Sequence, residues 1–286
     1  MALLTWLEPW EASPTVIALC SGALMLYGVG LVRAARAGAP ENPWRIAAFV
    51  IGVVGIYAVL QTYYDYLSAH MFWIHRLQHL VLHHLGPFLI ALAAPRLILT
   101  RGVGARFHDR VLHPVWQHPI VRGIYRSIQQ PFVAAALFVG LIYFWLTPAI
   151  HFDAMLSLPL YNAMNWSMAI DGILFWWLML APPPGKTSGP APAYGLRIIL
   201  LWFVMLPQIL LGAYISLSGR ELYDVYAVCG RAYPLSPLED QEIGGLITWI
   251  PSSMMTALAG IILLRRWMRE RSRVETEALA AQGSNA

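Results

Sequence analysis

Apolar residues run along this chain in long, almost uninterrupted stretches, separated by short polar or charged breaks. Crossing the hydrocarbon of a bilayer takes roughly 20 mostly apolar residues in helical form. Seven stretches qualify: residues 14–32, 46–67, 70–99, 131–150, 159–180, 194–217 and 243–264. The pattern predicts an all-α, polytopic membrane protein, a bundle of seven transmembrane helices. The third stretch is the least regular, because polar side chains interrupt its apolar frame. Residues 1–273 read as one transmembrane helical domain. Residues 274–286 read as a polar, disordered cytoplasmic tail. No internal repeat is visible.

Composition agrees with that pattern. Hydrophobic residues make up 58% of the 286 and charged residues 12%, about half the charge of a soluble domain. The lipid bilayer is therefore the first partner. The net charge of +4 is no nucleic-acid footprint, because the basic residues sit in particular loops. Sixteen of them fall on one side of the seven spans and two, Arg220 and Arg231, on the other. The excess of Lys and Arg marks the cytoplasmic face, so the N-terminus is expected outside and the C-terminus in the cytoplasm. Glu8 and Glu11 stand in the first residues with no basic residue, so a cleavable signal peptide is not expected. The connection 100–130 is basic and partly amphipathic, suited to an interfacial helix. The linker APPPGKTSGPAP at 181–192 is too rich in Pro and Gly to be helical. Cys20 and Cys229 have no metal-ligand spacing and read as independent thiols.

Candidate chemistry is concentrated in the third stretch. Five of the nine histidines lie there: His70, His75, His79, His83 and His84. His75, His79 and His83 repeat every four residues, which places them on one slowly drifting stripe of a helix. Such spacing can aim two imidazoles at one metal ion. Ionisable groups inside a span are costly and mark a pathway, relay or ligand site. Interhelical hydrogen bonding is the bland reading of any one histidine, but five on one helix argue against it.

The fifth stretch offers Met164, Met168 and Asp171 on one face. Met sulfur would favour Cu(I), although Met also fills core gaps. Asp171 could accept a hydrogen bond from His83 or His84 and orient its ring. Arg76 is expected at the outer interface or paired with an acid there. Asp240 stands where it would cap the seventh helix. A metal or proton transporter would use the same histidine row, but residues 85–94 offer no polar continuation. A haem protein would want buried histidines from two helices, and His151 reads as an outer-loop residue. A retinal protein needs a lysine within a span, and the only lysine, Lys186, is in the linker.

Three separated motifs resemble the CtaG-type cytochrome c oxidase assembly proteins. The first is His75-Arg-Leu-Gln78-His79, followed by Leu85-Gly-Pro87 and Ala94-Pro95. The second is Phe175-Trp-Trp177, and the third Asp240-Gln241-Glu-Ile-Gly244-Gly245-Leu-Ile-Thr-Trp249-Ile. The resemblance covers residues 61–264. It implies a protein of the bacterial cytoplasmic (inner) membrane that handles copper during assembly of a haem-copper oxidase. It implies no catalysis. Oxidase subunits or a copper chaperone are the implied partners, with His75 and His79 the first ligands. Three departures stand out. The family's further histidines, near Tyr161 or Asn162 and Asn165, are missing. Arg76 replaces a Met. His70, His83 and His84 are additional.

Overall fold

The structure, a computed structural model, describes residues 12–180 and 192–283. The expected linker at 181–191 and the N-terminal segment 1–11 lie outside the described residues. Everything regular is helical. Helix α1 (Pro14–Arg36) starts at Ser13, whose hydroxyl accepts from Val16 N, with Pro14 in the first turn. Helix α2 (Pro43–Gln61) starts in the same way, at Asn42 with Pro43 behind it. Proline costs nothing there, since the first-turn N–H has no partner within the helix.

The expected second and third spans are divided differently. Thr62 is extended and separates α2 from a short helix α3 (Tyr63–His70). Met71 is extended too, at φ −144° and ψ 127°, and ends α3. Helix α4 (Phe72–Ala93) then runs inward until Ala94, which adopts a left-handed φ of 50°. Beyond Pro95 the chain bends by 77° into α5 (Arg96–Gly102). His70 is therefore not on the helix that carries the other four histidines.

Short helical turns over 105–117 lead to α6 (Pro119–Ile128), which shows no buried residue. It meets α7 (Pro131–Leu146) at 70°, the posture expected of an interfacial helix. Thr147 ends α7 four residues short of the expected boundary, and α8 (Pro148–Leu156) follows. Helices α9 (Leu158–Leu180) and α10 (Tyr194–Leu217) are long and apolar. A loop with the short helix α11 (Val225–Cys229) precedes α12 (Pro237–Gly283). This last helix continues well past Arg273, where the sequence suggests a disordered tail. Among the described residues five helices are long and apolar enough to cross a membrane, or seven if each bent pair counts as one span.

The chain is a multi-pass membrane protein turned outward in the usual way. Large apolar side chains such as Leu19, Met25, Trp202, Phe203, Leu210 and Leu217 are exposed. The interior holds the polar groups. Helix α4 is surrounded. Phe88 and Ala91 join a core with Phe138 of α7, Trp176 and Met179 of α9, Val204 of α10 and Leu263 of α12. One end of the bundle carries Asp65 and Asp240 and is called the acidic end. The other carries Arg33, which bonds to the Arg101 carbonyl, and Arg266, which bonds to the Leu180 carbonyl. It is called the basic end.

Candidate functional site

The start of α4 is held by a residue from the far end of the sequence. Asp240, fully buried, accepts from Phe72 N at 3.0 Å and Trp73 N at 2.8 Å and pairs with Arg231. It does cap a helix, but α4 rather than α12. The N-terminus of α12 has its own reciprocal cap. Ser236 Oγ accepts from Glu239 N, and Glu239 accepts from Ser236 N. Gln241 is equally structural. Its amide accepts from Leu222 N at 2.7 Å and donates to the carbonyls of Ile215 and Arg220. Gly244 brings α12 against α4: an added Cβ would meet Phe72 at 2.3 Å.

One turn further in, His75 and His79 lie together with ring centroids 4.4 Å apart. Both are essentially fully buried. No hydrogen bond of full geometry reaches either nitrogen of either ring, although the Asn165 side chain lies close enough to His79 for a weak one. A buried polar group left unpaired costs about 1–3 kcal/mol, and four nitrogens so poorly paired in one place call for an explanation. His151 of α8 approaches them, with its ring centroid 5.2 Å from that of His75. It is buried, not in an outer loop, and that correction adds a histidine from a second helix. Its Nδ1 lies 3.1 Å from the Trp145 carbonyl and its Nε2 3.0 Å from the Tyr226 hydroxyl. Asn165 of α9 adjoins His79, with its amide oxygen unbonded.

A polar network props the other side of His75. Gln78 donates to Asp65 Oδ1 at 2.7 Å and to the Val59 carbonyl at 2.9 Å. The Tyr161 hydroxyl donates to Asp65 at 2.7 Å and lies 2.9 Å from Ser68 Oγ. Tyr161 thus fastens α9 to α3 and α4. Its ring centroid is 6.2 Å from that of His75.

The row does not continue as a straight stripe. Residues Leu80–Leu85 form a π-helical turn, in which Gly86 N bonds to the Val81 carbonyl five residues back. Pro87 explains it. Proline has no N–H for the carbonyl four residues earlier, and its ring crowds that carbonyl. The carbonyl concerned is that of His83, and Trp176 Nε1 supplies the missing bond at 3.1 Å. Gly172 permits the approach, since a Cβ there would lie 2.5 Å from the His83 oxygen. The Phe175-Trp-Trp177 motif therefore stabilises an irregular α4.

The wider turn separates His83 and His84 from the pair above. His83 Nε2 lies 3.0 Å from Asp171 Oδ2, the contact expected from the sequence. His84 Nε2 lies 2.9 Å from Gln208 Oε1 of α10. His70 is apart: its Nδ1 bonds to the Tyr66 carbonyl and its ring packs on Tyr66. Met164 is buried in the core beneath Phe72 and Tyr226. Met168 lines a small cavity of about 10 Å³ with Arg76, His79, His83, His84 and Thr248, room for about one water. Arg76 is buried, not interfacial, and bonds to Thr248 Oγ1 at 3.0 Å rather than to an acid. Among the described residues no three His, Cys, Asp or Glu side chains are grouped closely enough to hold a metal ion. Cys20 and Cys229 are free thiols.

Fold and site together define an all-helical, multi-pass membrane protein with a buried histidine cluster on a broken central helix. The chain belongs to the family of cytochrome c oxidase caa3 assembly factors (Caa3_CtaG), whose family model matches residues 25–270. It is a family of assembly factors, not of enzymes. Relatives include an uncharacterized protein of Mycobacterium leprae (strain TN), 27% identical over 264 residues. Uncharacterized proteins of Mycobacterium bovis and Mycobacterium tuberculosis are 26% identical over the same length. These alignments cover 87% of this chain but 38% of each relative, so the chain spans about two fifths of the length of its curated relatives. No solved structure matches it.

Proposed function

We propose that this protein assists assembly of a haem-copper oxidase from the bacterial cytoplasmic membrane, binding copper at His75 and His79 and passing it on. The observation that carries this reading is the set of four buried ring nitrogens on adjacent turns that lack a full hydrogen bond. Imidazole is a good copper ligand. Two facing rings can hold Cu(I) at low coordination number, without the three-residue cluster that is absent. Copper enters as cargo. His83 and His84, engaged by Asp171 and Gln208, would form the floor of the site.

The charge bias of the loops supports an acidic end outside and a C-terminus in the cytoplasm. On that reading His75 and His79 lie just inside the outer surface. Residues 85–93 carry no polar side chain, which favours an outward-opening site over a route across the membrane. A cavity of about 10 Å³ also favours a bare ion over haem, as organic cofactors occupy several hundred Å³. Oxidase subunits or a copper chaperone would be the partners.

Purified full-length protein is expected to bind about one equivalent of Cu(I), an expectation resting on a single paired-imidazole site. Replacing both His75 and His79 by Ala should abolish binding. In spheroplasts, a Cu(I) chelator that cannot cross membranes should strip the ion. Unchanged affinity in the double variant would overturn the ligand assignment. Copper shielded from that chelator would overturn the orientation.

A further inference from the structure

Arg76 follows His75 on α4 and lines the small cavity together with His79, and its position is built rather than incidental. Gly244 makes room for its stem: a Cβ there would lie 3.2 Å from Arg76 Cγ. Thr248 orients the head by accepting from Nε, while its own hydroxyl donates to the Gly244 carbonyl at 2.8 Å. The side chain is buried and forms no ion pair with any described residue. Asp240, a buried acid at the start of the same helix, is already committed to Phe72, Trp73 and Arg231. The nearby Tyr223 and Tyr226 side chains are neutral phenols and cannot balance its charge. Those hydroxyls are bonded to the Leu146 carbonyl and to His151. Arginine stays protonated in proteins, so the site holds a positive charge with no direct ion-pair partner among the described residues. Asp171 is bonded instead to His83 of the cavity wall. The same cavity wall carries His79, His83 and His84.

We infer that Arg76 selects the charge of the ion: its uncompensated guanidinium, beside the His75–His79 pair, favours monovalent Cu(I) over divalent ions such as Zn(II). The inference rests on the copper reading above. Coulomb repulsion scales with the charge of the ion, so a divalent cation is opposed twice as strongly as a monovalent one. Residues three apart on a helix have Cβ atoms about 5–6 Å apart, which sets the scale for Arg76 and His79. At about 6 Å and an effective dielectric constant of about 20, one unit of charge changes affinity by roughly 100-fold. Two neutral imidazoles discriminate poorly between these ions by themselves, since imidazole suits both copper and zinc. The fixed charge supplies discrimination that the ligands lack.

The test measures Cu(I), Ag(I) and Zn(II) affinities by chelator competition on the full chain, for wild type, R76Q and R76K. R76Q removes the charge and keeps a donor for Thr248; R76K keeps the charge. In R76Q, Zn(II) affinity should rise about 10- to 100-fold more than Cu(I) or Ag(I) affinity. In R76K the ratio should stay near that of wild type. An unchanged ratio in R76Q, or an equal shift in R76K, overturns the charge filter while leaving the copper site standing. Failure of the wild type to bind Cu(I) or Ag(I) overturns both readings.

Discussion

Asp240 is a buried carboxylate in a membrane protein, tolerable because every charge-bearing atom is used. Two main-chain N–H groups at the start of α4 and the guanidinium of Arg231 surround it. The helix dipole adds to the same attraction. His75 and His79 are the opposite case, buried side by side with no full hydrogen bond. The contrast separates a residue that holds the fold from the pair to which the proposal assigns a ligand. Loss of the α4 cap alone costs about 1–2 kcal/mol, and stranding Arg231 adds to it. D240A should therefore lower the melting temperature in detergent, with D240N, which keeps one acceptor, intermediate. A D240A melt equal to wild type would show that Asp240 does not hold α4. Both Asp240 and Gln241 belong to the third motif, and in sequence Asp240 reads as a cap for the helix that follows it. Their bonds show why residue type alone was ambiguous: an acid at a helix start caps whichever helix is nearest in space, and sequence shows only the nearest in order.

At the scale of elements, α4 decides the character of the molecule. Its two ends and its π turn each have a chemical cause: Met71 extended before it, Pro87 within it, Ala94 left-handed after it. Gly172 and Trp176 of α9 accommodate the turn. G172A would put a Cβ 2.5 Å from the His83 oxygen, and overpacking of this kind costs about 1–3 kcal/mol. The variant should be less stable, and the His83–Asp171 bond, read by NMR on labelled histidine, should weaken. Full stability with an unperturbed His83 signal would contradict the tight approach. Apolar run length was enough to find α9 and α10 nearly to the residue, and α1 except for its last four residues, because it is what lipid selects for. The breaks at Thr62, Met71 and Thr147 were not legible. Each occurs inside an apolar run: Thr62 caps the next helix with its own hydroxyl, Thr147 precedes Pro148, and only the break at Met71 is capped from far away, by Asp240. His151 was missed with the break at Thr147. A short Pro148-initiated helix folds it back into the bundle, and nothing in its local sequence signals that return. The His83–Asp171 contact was legible, because an acid and a histidine at similar depths in two spans have few other partners.

For the whole molecule, the asymmetry between its ends gives direction to the site. The acidic end holds the capped, networked start of α4, with the paired histidines one turn below. The basic end closes with apolar layers around Phe88, Trp176 and Leu263. On the proposed copper reading, the buried His75–His79 pair would be reached from the acidic end, with the π turn below it. Family membership supplies the context of oxidase assembly, and the ring nitrogens supply the chemistry. The most direct measurement is X-ray absorption at the copper edge on Cu(I)-loaded protein. The account predicts low-coordinate imidazole ligation that disappears with His75 and His79 replaced by Ala and persists with His83 and His84 replaced. Ligation that survives the first double substitution, or is lost only in the second, would contradict it.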